Sequence, residues 1–239
     1  MKIDARTLNY AELNNAIRLA GDMADITGCL GQRFIGAGMS NRKIRVEGIP
    51  GNAMGAYLNG AHIETLGNAQ DAVGDTMNAG TIVVRGDIGD TAGYAMRGGE
   101  IYVRGSAGYR TGIHMKAYRE KLPVIVIGGR AGSFLGEYQA GGLIIVLGLQ
   151  INGKRIVGNF PCTGMHGGKI YLRSDCAGIV FPEQVSARPA SCEDKSDILS
   201  YVAKYCTLFD YNVDEIMNAP FTVITPDSKN PYKQMYVAN

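Results

Sequence analysis

Apolar and polar positions in the middle of the chain recur with a period of 19 residues. Ile44, Ile63, Ile82 and Ile101 form one aliphatic column at that spacing. Gly36, Gly55, Gly74, Gly93 and Gly112 form a second column, and Gly48, Gly67, Gly86 and Gly105 a third, at the same spacing. A repeat this short cannot bury its own hydrophobic face, so consecutive copies must stack on one another. Within one copy, Thr81 to Arg85 reads as a short strand with β-branched residues. Alternation puts Ile82 and Val84 on one face, and Ile101 and Val103 take the same places one turn later. Met77, Met96 and Met115 make a further inward column. Gly86 and Gly105 are expected to end their strands with a positive φ that turns a corner.

The period breaks after Gly112, since 24 residues separate it from Gly136. The polar stretch Met115 to Leu122 reads as a loop bulging from one corner. The columns resume at Ile125, Ile127 and Gly129, and again at Ile144, Val146 and Gly148. A second insertion at Gln150 to Gly158 precedes the turn that contains Ile170 and Leu172. The pattern predicts roughly seven turns with strands about 4.8 Å apart. A left-handed β-helix would place an aliphatic residue at every sixth position, and a calcium-binding β-roll would need aspartates in a nine-residue register. The steps from Met77 to Ile82, Val84 and Ile88 fit neither. The expected fold is an all-β, right-handed parallel β-helix, which tolerates unequal sides and corner insertions.

Open sheet ends invite aggregation, and the flanks read as caps. Asn9 with Glu12 opens a helix that carries Leu13, Ala16 and Ile17. Ser191 with Asp194 opens another through Ile198, Val202, Tyr205 and Phe209, and Asn212 with Glu215 a shorter one. Pro220 ends that helix before a strand at Phe221 to Ile224, and a polar tail runs from Pro226 to Asn239. The expected organisation is an N-terminal helical cap at 1–35, the β-helix at 36–175, and C-terminal helices and tail at 176–239.

Composition narrows the class. Hydrophobic residues make up 46% of the chain, enough for a substantial core. The 33 glycines are about twice the usual share, and their even spacing marks turns rather than disorder. A formal charge of +2 gives no basic field for nucleic acid. No apolar run of membrane-spanning length and no secretory signal core are present, so the cytoplasm is the expected compartment. The cysteines, Cys29, Cys162, Cys176, Cys192 and Cys206, are odd in number and fit no zinc or iron–sulfur spacing, and are read as inert thiols.

Candidate chemistry is sparse. His62, His114 and His166 stand 52 residues apart but at different places in the repeat, so they are not expected to share a metal. The stretch Gly128 to Gly132 lacks the strand-to-helix context of a nucleotide loop, and its glycines read as corners. Asp87 and Asp90 read as turn residues bonded to their own backbone. Phe134, Glu137 and Tyr138, an aromatic pair beside a charge, read either as a docking patch or as corner packing. Catalytic, cofactor-binding and metal-binding residues are expected to be absent, leaving the repeat glycines and this patch as the notable positions.

Three stretches carry a resemblance to a known family: Gly31 to Met39, Gly112 to Lys116, and Ser133 to Gly142 with Val146-Leu147-Gly148. The opening Ile3 to Arg6 and the closing Phe221 to Pro226 are similar too. The chain resembles, over nearly its whole length, the C-terminal GXGXG domain of the glutamate synthase large subunit, a right-handed β-helix. That enzyme moves the amide nitrogen of glutamine to 2-oxoglutarate with flavin and an iron–sulfur cluster. In it, this domain braces catalytic domains and carries no catalytic residue. The resemblance implies a separately encoded, non-catalytic scaffold subunit without a cofactor of its own, whose partners are a glutamine amidotransferase and an FMN-dependent synthase. Residue 2 is lysine rather than the amidotransferase's nucleophilic cysteine, and no cysteine cluster or room for a flavin barrel is present. Alternatives are a β-helix subunit of a formylmethanofuran dehydrogenase-like complex and a stand-alone solenoid binding protein. Self-association is left open.

Overall fold

A computed structural model describes residues 1–227. The tail expected to lie extended from Pro226 onward falls, beyond Asp227, outside the described residues. The strands are β1 (Lys2–Asp4), β2 (Met23–Leu30), β3 (Lys43–Ile49), β4 (Asn59–Thr65), β5 (Ala79–Val84), β6 (Gly99–Val103), β7 (Pro123–Ile127), β8 (Ala140–Val146), β9 (Gly167–Leu172), β10 (Val185–Pro189) and β11 (Thr222–Pro226). The helices are α1 (Tyr10–Leu19), α2 (Cys192–Phe209) and α3 (Val213–Met217). All strands join one sheet in the order β1-β2-β3-β4-β5-β6-β7-β8-β9-β11-β10. Strands β1 to β9 pair in parallel, forming a solenoid of about seven turns. The antiparallel pairs β9–β11 and β11–β10 finish the sheet.

The aliphatic column is a continuous ladder. Ile44, Ile63, Ile82, Ile101, Ile125, Ile144 and Ile170 are direct partners from strand to strand. All seven are buried, and they share one core with Met77, Met96 and Met115. A second inward line of bridges joins Ala69, Ile88, Ala107, Ala131 and Val157. Both insertions lie where the period slips: Tyr118 and Lys121 close a tight turn in the first, and 150–158 bulges in the second.

The two glycine columns serve different purposes. Gly36, Gly55, Gly74, Gly93 and Gly112 have φ between +67° and +75°, the left-handed region that glycine enters without penalty. Gly86 and Gly105, expected to turn the corner by a positive φ, do not adopt one, nor does Gly67. The reason for glycine at Gly86 is space: a β-carbon there would meet the backbone of Gly67 and Asn68 at 2.8 Å. Gly48 does take a positive φ, of +117°.

The glycine corner follows an unusual backbone rhythm, with left-handed residues at alternate positions. Ala72, Gly74 and Thr76 show it on one turn, Thr91, Gly93 and Ala95 on the next. A non-glycine residue there costs on the order of 1–2 kcal/mol, so compensation is required. The amides supply it by bonding alternately forward and back. Ala72 N–H donates to Asp90 O on the next turn (2.8 Å), and Gly74 N–H donates to Met54 O on the previous one (2.9 Å). Each corner is thereby tied to both neighbours, and its buried amides are satisfied.

The flanks differ from simple caps. Residues 1–35 contain β1 and β2 as well as α1, so the sheet begins upstream of Gly36. Residues 176–227 contribute β10 and β11 alongside the helices. Helix α1, with the Asn9–Glu12 capping box, buries Leu13 and Ile17 in the interior cluster. Helix α2, capped by Ser191 and Asp194, lies instead on the outer face of the sheet. Its Ile198, Val202, Tyr205 and Phe209 pack with Val83, Tyr102, Val126, Ile145 and Tyr171. The outward ladder runs Asp25, Arg45, Glu64, Val83, Tyr102, Val126, Ile145, Tyr171. It changes from charged to apolar where the helix begins to cover it. Lys204 pairs with Glu100 and Lys169 with Asp197 along the helix margins.

Candidate functional site

The glycine corner presents its flanking left-handed positions to solvent, and several of these are aromatic. Phe34, Tyr57, Tyr138 and Phe160 are exposed, at 43%, 58%, 37% and 64%. His114 and Tyr138 stack at 5.1 Å with a 10° interplanar angle, and Tyr94 meets His114 edge-on at 6.0 Å. Phe134 and Phe160 lie 5.4 Å apart. The His114–Tyr138 pair follows from the repeat, since residues two after the column glycines Gly112 and Gly136 fall one above the other when turns stack.

Of the three patch residues expected from the sequence, Phe134 and Tyr138 lie on this surface, while Glu137 is 8% exposed. Glu137 accepts from Arg110 Nε at 2.8 Å, and the Arg110 guanidinium sits 4.8 Å from the centre of the Phe134 ring. The carboxylate therefore fixes a cation over an aromatic face, a contact worth about 0.5–1 kcal/mol at exposed sites. Glu137 packs into the corner, while the Phe134 and Tyr138 rings reach the surface. A recess of about 450 Å³ adjoins the patch, walled by Phe160, Pro161, Val180 and Phe181.

The remaining candidates are dispersed. Among the described residues no group of three His, Cys, Asp or Glu side chains could hold a metal ion. His62 lies in β4, where burial lowers its pKa, and His166 Nδ1 is 3.0 Å from Gly164 O. Gly128, which ends β7, yields space to the Tyr205 hydroxyl, and Gly132 to the backbone of Gly108. Asp87 and Asp90 do not bond their own turns. Asp87 Oδ1 accepts from Ser106 N–H and Asp90 Oδ1 from Tyr109 N–H, both at 2.7 Å and both one turn onward. Stacking brings those amides nearer than the local chain does. All five cysteines are free, with Cys192 exposed; burial pushes the Cys29 thiol up to about 11 and the Cys162 thiol up to about 12. No helix among the described residues is long and apolar enough to cross a membrane.

The sequence reading missed the stacked pair His114–Tyr138 and the cover provided by α2. Aligning the turns by their glycines would have exposed the first, and reading the outward positions Glu64, Val83 and Tyr102 as a column the second.

Comparison with known proteins agrees with this architecture. The GXGXG motif family matches residues 4–226. An uncharacterized protein of Methanocaldococcus jannaschii is 43% identical over 248 residues, spanning 98% of this chain and 95% of its own. A chain in the crystal structure of the formyltransferase/hydrolase complex of Methylorubrum extorquens, solved with methylofuran, has the same fold. Its TM-score is 0.59 at 19% identity, covering 92% of this chain and 89% of that one.

Proposed function

The chain belongs to the GXGXG motif family, and from that membership we propose that it is a non-catalytic scaffold subunit of a glutamate synthase-type complex. In this reading the solenoid is right-handed, with flanking segments at 1–35 and 176–239. It carries no cofactor and braces a glutamine amidotransferase against an FMN-dependent synthase in the cytoplasm. The observation that carries the reading is the exposed aromatic corner around Phe134, Tyr138, His114 and Phe160. A soluble chain gains nothing by exposing a row of rings, whereas aromatic residues are the common anchors of protein interfaces. The Ser133 to Gly148 stretch, on which the glutamate synthase resemblance is most specific, builds part of this corner.

A second reading, a β-helix subunit of a formylmethanofuran dehydrogenase-like complex, draws support from the fold shared with a chain of the formyltransferase/hydrolase complex. Affinity capture of the full chain from its native cells separates the two. Recovery of flavin-containing synthase and amidotransferase chains supports the first, and recovery of molybdenum or tungsten enzyme subunits the second. Glutamate formation by the purified chain alone would overturn both.

A further inference from the structure

The sheet has two outer strands, β1 at one end and β10 at the other, and they are finished differently. In β10 the even positions face β11, since Ala190 N–H donates to Phe221 O and Gln184 O accepts from Asp227 N–H. Val185, Ala187 and Pro189 are left toward the open side. Val185 N–H donates to Pro182 O at 3.2 Å, Pro189 has no N–H, and Arg188 Nη1 donates to Pro189 O at 3.2 Å. A proline and a covering charge are usual means of closing a strand edge.

Strand β1 carries no such block. It pairs with β2 in parallel and without a bulge. Met1 O accepts from Asp25 N–H, and Ala5 N–H donates to Thr27 O, so the odd positions face β2. Lys2 and Asp4 therefore turn their amides and carbonyls away from the sheet, where no backbone group of the described residues bonds them. Both side chains are exposed, while Ile3 between them is buried. Arg6 fixes the Asp4 carboxylate through Nε at 3.0 Å and Nη2 at 2.6 Å, at a surface position open to a further cation.

We propose that β1 is a self-association edge, which pairs antiparallel with β1 of a second copy about a two-fold axis at Ile3. The strand itself sets that register. With the two Ile3 residues opposite one another, Lys2 of each copy lies opposite Asp4 of the other. These are the positions with free backbone groups, so each such pair exchanges both hydrogen bonds. Each pair also sets an ammonium against a carboxylate, the favourable cross-strand combination. The contact is isologous and closes at two copies, because the β10 edge is blocked against further growth. Met1, 58% exposed, adds apolar surface beside the edge. A strand this short fits a weak dimer, with a Kd on the order of 10 µM. The contact does not use the aromatic corner and stands apart from the assembly reading.

The test is sedimentation equilibrium of the purified full chain, with its own N-terminus free and any tag at the other end. The natural chain is expected to dimerise reversibly. Lys2→Pro, which removes an outward N–H and no bond to β2, should weaken the dimer at least about tenfold. Lys2→Glu and Asp4→Lys should each do the same by opposing like charges, and an equimolar mixture of those two variants should restore dimers. Matching urea midpoints would show that the variants fold, and the mixing result holds even if Lys2→Pro does not. A natural chain that stays monomeric at about 500 µM, variants that dimerise like it, a mixture that stays monomeric, or a dimer lost in Tyr138→Ser instead would overturn the proposal.

Discussion

Gly74 faces Ile101 across one turn of the solenoid so closely that a β-carbon on the glycine would stand 2.5 Å from the isoleucine Cδ1. The same relation recurs between Gly55 and Ile82 at 2.5 Å, and between Gly136 and Ile170 at 2.5 Å. Two columns that look independent in the sequence are therefore one steric unit. The glycine is small because the isoleucine of the following turn fills the space.

Gly74→Ala should thus suffer twice, from its φ of +69° and from overpacking. The sum is about 2–4 kcal/mol. Gly38 has the same φ of +69° with nothing within 4 Å of the added carbon. Gly38→Ala should lose only about 1 kcal/mol. Urea unfolding of both variants measures the difference; equal losses would refute the steric pairing.

The strand-end glycines are expected to rank by crowding. Gly86→Ala drives a carbon into the backbone of the preceding turn, whereas at Gly67 the nearest atom is Gly48 O at 3.3 Å. Gly86→Ala should lower the melting temperature clearly more than Gly67→Ala, although neither residue has a positive φ.

Ile101 is fully buried in the isoleucine ladder. Ile101→Ala should cost about 2–5 kcal/mol, as a core truncation that stacked neighbours cannot close. A loss below about 1 kcal/mol in denaturant titration would mean that the interior collapses around the gap.

The start of α2 should make stability depend on acid. The Arg188 guanidinium, joined by donors from Ser191, holds the Asp194 carboxyl well below the usual carboxylate range. A carboxyl with a depressed folded pKa stabilises the fold above its unfolded value near 4, and that contribution fades as pH falls below it. Asp194→Asn should be less stable than the natural chain at pH 7 and converge toward it near about pH 2. Parallel urea midpoints across that range would contradict this.

Thiol chemistry offers a simple probe of the packing. Cys192 is exposed, while Cys29, Cys162, Cys176 and Cys206 are buried with their pKa values raised by burial. Iodoacetamide on the folded protein at mild alkaline pH should add one group, at Cys192, by intact mass and peptide mapping. Rapid labelling of Cys162 would show that the last turns open readily.

The regular features were legible because a solenoid writes its contacts at a constant separation. Ile44 to Ile101 and Gly36 to Gly112 announced the stacking, and Asn9–Glu12 and Ser191–Asp194 announced two helix starts through short-range capping. The strand β10 was not legible, since Val185–Pro189 carries little apolar pattern and gains its pairing from β11, over 30 residues onward. The candidate surface was half legible. Phe134 and Tyr138 stood out, but the burial of Glu137 depended on Arg110 from the turn before.

By itself the sequence determined the period, the parallel stacking and the identity of the inward columns, because each rests on local alternation repeated at a fixed step. Only the tertiary structure decided that α2 covers the outer sheet face, that Gly86 yields to a neighbouring backbone, and that Asp87 bonds the turn above it. Those contacts join groups whose separation along the chain is irregular or whose partner is a bare backbone atom, and side-chain pattern carries no record of either.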